Sequence, residues 1–175
     1  TILICSEIQK PTVESVFSAK RVKAILTLEN DGTGTLAENY RDFSENTTIT
    51  QCRADDTAAL LYSSGTTGKP KGIILSHKNL SSNANTLSKS WGFTHQDRLL
   101  HALPIYHVHG LFIALGPVLL TGASMSWHSR FVVYSVIRSL AECTVMMGVP
   151  TYYTRMLDNN LLDTEACKNM RVFIC

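Results

Sequence analysis

The sequence predicts an α/β fold, and three observations predict it. Short apolar runs of strand length recur along the chain, bounded by Gly, Pro, Asn and Asp. Between them lie longer segments whose apolar residues return every three or four positions, the spacing of one helix face. No internal repeat or low-complexity tract interrupts this alternation. With 175 residues, 45% hydrophobic and 17% charged, the chain can enclose one substantial core.

The elements follow in order. Ile2–Cys5 reads as a short buried strand, and Thr12 to Lys20 as a helix with Val13, Val16 and Phe17 on one side. Residues 22–28 give a second strand, so the chain opens as a βαβ unit, half of a doubly wound sheet. The polar stretch 29–56 is a connection with one short helix near Leu36–Phe43. Strands are expected at 57–62 and 72–75, both buried. Ser76 then caps a helix of about 15 residues with Leu80, Ala84, Leu87 and Trp91 on one face, and Gly92 ends it. Leu99–Leu103 is a strand stopped by Pro104. Residues 105–122 form a buried helix on Leu111, Leu115 and Val118 or Leu119, weakened at Gly116-Pro117. A strand at Ala123–Trp127, a helix at Phe131–Leu140 and a strand at Thr144–Met147 follow. Pro150 opens a helix at its first turn, Asp158-Asn159-Asn160 break it, and 171–174 is the last strand.

Between the strands at 57–62 and 72–75 stands YSSGTTGKPKG, residues 62–72. Its glycines, Gly65, Gly68 and Gly72, let backbone N–H groups come close to a ligand. Ser63, Ser64, Thr66 and Thr67 offer hydroxyl donors, and Lys69 and Lys71 offer positive charge, a composition suited to a phosphate chain. An ordinary surface hairpin has little use for that set together. A Walker A loop is excluded, because Gly65 and Gly68 are too close and Pro70 follows Lys69 where Ser or Thr is needed. The Rossmann G-x-G-x-x-G pattern is absent too.

From Ser63 to Gly72 the stretch resembles the signature loop of the adenylate-forming superfamily, which includes acyl-CoA synthetases, luciferases and peptide-synthetase adenylation domains. That resemblance extends, in order, over nearly all of the chain. It implies mixed sheets flanked by helices, a partial N-terminal domain of the adenylate-forming fold. The parts that bind ribose, the hinge and the small C-terminal domain are expected outside these residues, so the chain by itself is expected to be an inactive fragment. The loop residues Ser63, Ser64, Gly65, Thr66, Thr67, Gly68, Lys69, Lys71 and Gly72 are then implied to bind ATP, with Thr67 at its magnesium ion and Lys71 catalytic.

His101, His107 and His109 cluster in the next region. A metal reading of the H-x-H pair lacks a nearby Cys, Asp or Glu to complete a ligand set. Packing at a strand-to-helix corner is the plain alternative. A third reading has an imidazole at a strand end positioning a carboxylate. The stretch LPIYHVHG, residues 103–110, resembles the superfamily's aromatic-His motif. The likeness implies that His107 lies between nucleotide and acid, with His109 toward the pocket or the helix start. MGVPTYYTRML, residues 147–157, resembles the acyl-pocket strand and helix. Taken with LLHALPIYHVHGLF, it is most similar to malonyl-CoA synthetases, in which an arginine at the place of Arg155 holds the second carboxylate. A guanidinium can grip a carboxylate through two parallel hydrogen bonds.

These likenesses imply an enzyme that makes an acyl-adenylate from a carboxylic acid and ATP, with magnesium, and transfers the acyl group to coenzyme A. Malonate or methylmalonate is the expected acid. The alternatives are a medium-chain or aromatic acyl-CoA synthetase, or a non-catalytic truncated nucleotide-binding fragment. A net charge of +2 gives no case for nucleic acid as partner, and no apolar run approaches the roughly 20 residues of a membrane span. The five scattered cysteines, without C-x-x-C spacing, point to reduced, mostly buried thiols rather than zinc. An intracellular, reducing compartment is expected, the cytoplasm or the mitochondrial matrix.

Overall fold

Strands form where the apolar runs predict them, and among the described residues they assemble into three small sheets. The computed structural model describes residues 2–17, 22–41, 48–63 and 70–175, which divide into two units, Thr1–Gln51 and Cys52–Cys175. In the first unit, strand β1 (Ile2–Cys5) pairs in parallel with β2 (Ala24–Thr27), with α1 (Lys10–Phe17) between them in sequence. This is the expected βαβ order, but β1 is not the buried strand its apolar run implies: Ile2 and Ile4 are 59% and 56% exposed, because its sheet has only two strands. The short helix predicted near Leu36 is α2 (Thr35–Tyr40).

The second unit begins with a hairpin, β3 (Thr57–Ser63) against β4 (Lys71–Ser76), antiparallel, with Ser63 opposite Lys71. Its strands are not buried as the apolar runs imply. Leu60, Tyr62, Ile73 and Ile74 are between 47% and 71% exposed. A two-stranded ribbon has too little width to carry a covering layer over both faces. Helix α3 (His77–Ser90) starts at a capping box, in which the Ser76 hydroxyl accepts from the Asn79 N–H and the Asn79 side chain accepts from the Ser76 N–H. It ends before Gly92, whose φ of +61° is the left-handed turn that glycine adopts without cost.

The remaining strands form one parallel sheet in the order β6-β5-β7-β8, with β5 at Arg98–His101, β6 at Ser124–Trp127, β7 at Val145–Met147 and β8 at Val172–Ile174. Side chains alternate across it. Leu99, Val145, Met147 and Ile174 pack on one face with Ala114 and Val118. Leu100, Met146, Val136, Ile137, Leu140 and Met156 fill the other. Helices therefore cover both faces: α4 (Leu115–Thr121), with the π-helical turn before it, on the first, and α5 (Val133–Leu140) and α6 (Pro150–Leu157) on the second.

Several predicted details shift. The segment 105–122 is a π-helix over His109–Ala114 continuing into α4. A π-turn adds a residue and rotates the phase of everything beyond it. Ala114, Pro117 and Val118 thus face the core, whereas Leu111 is 36% and Leu119 76% exposed. Pro117 has no N–H for the helix ladder, which suits a segment already departing from α geometry. Helix α5 starts at Val133 rather than Phe131, and β5 ends at His101, two residues short of the expected Leu103. Of the cysteines only Cys143 is buried, while Cys52 and Cys175 are exposed, so the expectation of mostly buried thiols does not hold. No described helix is long and apolar enough to cross a membrane.

One carboxylate ties the sheet together. Asp97, 3% exposed, accepts from the Thr94 N–H, the Thr144 hydroxyl at 2.7 Å and the Arg171 guanidinium at 2.7 and 2.9 Å. Arg171 also donates to the Trp91 and Gly92 carbonyls. Burial by itself would raise the Asp97 pKa, but the hydrogen bonds from Arg171, Thr144 and Thr94 overrule it and hold the carboxyl well below the usual range. Such a group adds stability in full above its unfolded value of 3.8, and that contribution is lost as pH falls through the depressed folded value. Asp97→Asn is expected to cost about 2 kcal/mol in urea denaturation at neutral pH, a figure reduced because Arg171 is partly solvated. The difference between variant and wild type should shrink steadily below pH 4.

Candidate active site

The sheet order defines a crevice. From β5 the chain crosses to β6 on one side, and from β7 it crosses to β8 on the other. Adjacent strands whose connections leave in opposite directions open a gap beyond their carboxyl ends, where ligands of α/β sheets bind. A cleft of about 480 Å³ lies at this place. Leu103, Pro104, His107, Val108, His109 and Gly110 line it from the β5 side, and Val149 and Tyr152 from the β7 side.

Local chemistry shapes each wall. After Pro104 the chain turns, and the His107 N–H donates to the Pro104 carbonyl at 3.2 Å. The π-helix then begins directly over that turn. A Cβ on Gly110 would overlap the Pro104 carbonyl oxygen, so only glycine permits this close approach. His107 is exposed, its ring 4.8 Å from that of Tyr106. His109 is half-buried, and burial lowers its pKa. On the opposite wall Pro150 sits at the first position of α6, where its missing N–H has no partner to lose. Two residues on, Tyr152 turns its ring to the cleft, and the phenol donates a long 3.4 Å hydrogen bond to the Ala102 carbonyl.

Arg155 lies one turn beyond Tyr152, exposed and outside the cleft lining. It is linked to the cleft through rings. Its guanidinium sits 5.2 Å from the centre of the Phe131 ring, and Phe131 stacks on Tyr152 at 3.8 Å and 10°. Among the described residues no carboxylate pairs with Arg155.

The predicted phosphate loop is represented by its two ends. Ser63 and Lys71 face each other where β3 ends and β4 begins, and Gly72 lies opposite Tyr62. Lys71 is exposed and has no carboxylate partner among the described residues, which leaves its charge available to an anion. Ser64, Gly65, Thr66, Thr67, Gly68 and Lys69 lie outside the described residues. His107 and His109 thus come together with Tyr152 in one cleft, Arg155 stands behind it, and Ser63 and Lys71 share a separate hairpin end.

His101 takes no part in the cleft wall. It is 1% exposed, neither ring nitrogen has a hydrogen-bond partner among the described residues, and its ring meets Trp127 edge-on at 4.6 Å. Burial, then the nearby His109, lowers its pKa. Of its three open readings in sequence, packing at a strand end is the one the structure supports for this histidine. Sequence reasoning did not single out Tyr152 or Val149 as cleft walls. Their signal was available in the Val-Pro pair directly after a strand, since residues there border the crevice.

A parallel sheet with helices on both faces and a crevice at its switch point define an α/β fold of the kind that binds ligands beyond the carboxyl ends of its strands. The chain belongs to the AMP-binding enzyme family, which it matches over residues 1–175. Its relatives include the probable CoA ligase CCL8 of Humulus lupulus, 35% identical over 146 residues, 72% of this chain and 24% of that protein. A malonate–CoA ligase of Arabidopsis thaliana is 37% identical over 130 residues, 64% of this chain and 21% of that protein. Among solved structures, ATP-bound MatB from Rhodopseudomonas palustris superimposes with a TM-score of 0.93 at 41% identity, over 98% of this chain and 34% of that one. The chain therefore spans about a fifth to a third of the length of these proteins.

Replacing His101 by Phe should leave stability at neutral pH unchanged or raise it by about 1 kcal/mol, because two unpaired buried nitrogens are removed. The sign with pH is fixed by the lowered pKa. As pH falls below 6.5 the unfolded chain takes up a proton that the buried ring resists, so the wild type loses stability. His101→Phe should flatten that loss, read from thermal unfolding between pH 7 and pH 5.

Proposed function

We propose that these residues are the middle part of the N-terminal domain of an acyl-CoA synthetase that activates a dicarboxylic acid, malonate or a methyl-substituted relative. The acid carboxylate attacks the α-phosphorus of ATP, pyrophosphate leaves, and the acyl-adenylate is then attacked by the coenzyme A thiol with release of AMP. The observation that carries this reading is Arg155, an exposed guanidinium without a carboxylate partner among the described residues, joined by stacked rings to the cleft at the switch point. The likeness to malonate–CoA ligases supports the same acid, and the likeness to ATP-bound MatB supports the nucleotide.

The first step brings together two anions, so its barrier is largely electrostatic. Lys71, with Lys69 and the hydroxyls of Ser63, Ser64, Thr66 and Thr67, offsets charge on the phosphates. The backbone N–H groups at Gly65, Gly68 and Gly72 approach the phosphate oxygens. Magnesium, with Thr67 beside it, supplies further charge neutralisation when bound. His107 orients the reacting carboxylate, His109 closes the inner wall, and Arg155 fixes the far carboxylate by charge-assisted hydrogen bonds. A monocarboxylic fatty acid would leave that guanidinium unpaired, which gives selectivity against it. The five free thiols fit an intracellular, reducing location, in the cytoplasm or the mitochondrial matrix.

In the full-length protein, Lys71→Ala should slow ATP–pyrophosphate exchange by at least about 30-fold, the loss of one charge-assisted donor worth about 2–4 kcal/mol. Arg155→Ala should weaken exchange with malonate while leaving the weaker exchange with octanoate or benzoate unchanged. Equal losses for all acids would remove Arg155 from the pocket. Faster exchange with octanoate or benzoate than with malonate in the wild type would favour a medium-chain or aromatic acid instead.

A further inference from the structure

The guanidinium of Arg155 stands exposed on the surface of α6. Its neighbour among the described residues is an aromatic face rather than a carboxylate or a carbonyl: the Phe131 ring, 5.2 Å away. That ring is itself stacked on Tyr152, nearly parallel at 3.8 Å. Phe131 comes from the connection between β6 and α5, so it belongs to neither of the elements that build the cleft. It is half-buried at the margin of the core layer formed by Val136, Met146 and Met156, which anchors it from beneath. Tyr152 and Arg155 are three residues apart on α6 and so lie on one side of that helix, facing the same ring.

Two consequences follow from this stack. A cation–π contact restrains the long arginine side chain without using any of its five N–H donors on a competing acceptor. The same ring fixes the plane of Tyr152, which is the β7-side wall of the cleft. A salt bridge would have restrained Arg155 equally well, but it would have occupied the donors that a ligand carboxylate needs.

We propose that Phe131 is a positioning residue for the acid: its ring holds the Tyr152 wall and the Arg155 guanidinium in fixed relation, so that the far carboxylate meets an immobilised but unpaired cation. The proposal rests on the reading of Arg155 as the carboxylate anchor. It adds that the aromatic face, rather than apolar bulk at position 131, sets the preference for a dicarboxylate. Leu at 131 keeps most of the apolar volume and removes the π face, while Tyr and Trp keep the face.

The test measures KM and kcat for malonate, for propionate and for ATP in the full-length protein, on wild type, Phe131→Leu, Phe131→Tyr, Arg155→Ala and the double variant Phe131→Leu/Arg155→Ala. Phe131→Leu should raise the malonate KM about tenfold, with KM for ATP and for propionate within twofold of wild type. Phe131→Tyr should restore the malonate KM. In the double variant the Phe131 change should add nothing to the loss from Arg155→Ala, because the two act through one contact. A malonate KM unchanged by Phe131→Leu, while Arg155→Ala raises it, overturns the role of Phe131 and leaves Arg155 as the anchor. An Arg155→Ala variant with unchanged malonate KM overturns the anchor itself. If Phe131→Leu lowers the melting temperature and weakens all three substrates together, or if Phe131→Tyr fails to restore malonate binding, the residue is structural and the proposal fails.

Discussion

The four-stranded sheet depends on the Asp97–Arg171 pair. Asp97 stands just before β5, Thr144 just before β7, and Arg171 just before β8, so a single buried carboxylate gathers the starts of three strands. Arg171 extends the node to the end of α3 through the Trp91 and Gly92 carbonyls. Strands aligned at their starts deliver their other ends in register, and the cleft is built at those ends. The geometry of Pro104, His107, Val149 and Tyr152 is therefore inherited from a polar contact at the opposite edge of the sheet.

The cleft adds two local devices to this frame. One is the Gly110 contact with the Pro104 carbonyl, which lets a helix begin directly on top of a turn. The other is the π-helix that starts there, which changes the phase of the following segment and puts Ala114 and Val118, small and medium side chains, against β5 and β7. Small residues at this contact let the segment lie close to the sheet. His109, first residue of the π segment, remains half-buried where the segment meets the cleft. His101 lies deeper, at the end of β5, and its neutral form suits a site with no hydrogen-bond partner.

Much of this was legible in the sequence. The Ser76 cap, the Gly92 stop and Pro150 at a helix start are local signals, and each stands where its chemistry requires. The alternation Leu99-Leu100 and Val145-Met146-Met147 reads as strands buried on both faces. What local pattern could not carry was phase and partnership. A period of three or four assumes an α-helix and puts Leu111, Leu115 and Val118 or Leu119 in the core; with the π-turn Val118 is buried, while Leu111 and Leu119 are exposed. Apolar strands at 57–62 and 72–75 look buried, yet they form a narrow hairpin whose exposure depends on what lies beside it. Phe131 is a single aromatic before a helix, and nothing in its neighbourhood indicates that it reaches Tyr152 and Arg155, 21 and 24 residues further on. The node at Asp97 is likewise invisible from sequence, because its partners are 47 and 74 residues away.

The proposed function joins a hairpin assigned to the phosphates, a histidine-lined crevice at a switch point and a cation held against an aromatic stack. Its central claim is spatial: a dicarboxylate lies across the cleft with one end near His107 and the other at Arg155. The most direct measurement is a crystal structure of the full-length protein with malonate and a non-hydrolysable ATP analogue. The account predicts one malonate carboxylate beside His107, facing the α-phosphate, and the other within hydrogen-bond distance of the Arg155 guanidinium, with the phosphates against Lys71. Malonate bound away from Arg155, or a nucleotide whose phosphates do not approach Lys71, would contradict it.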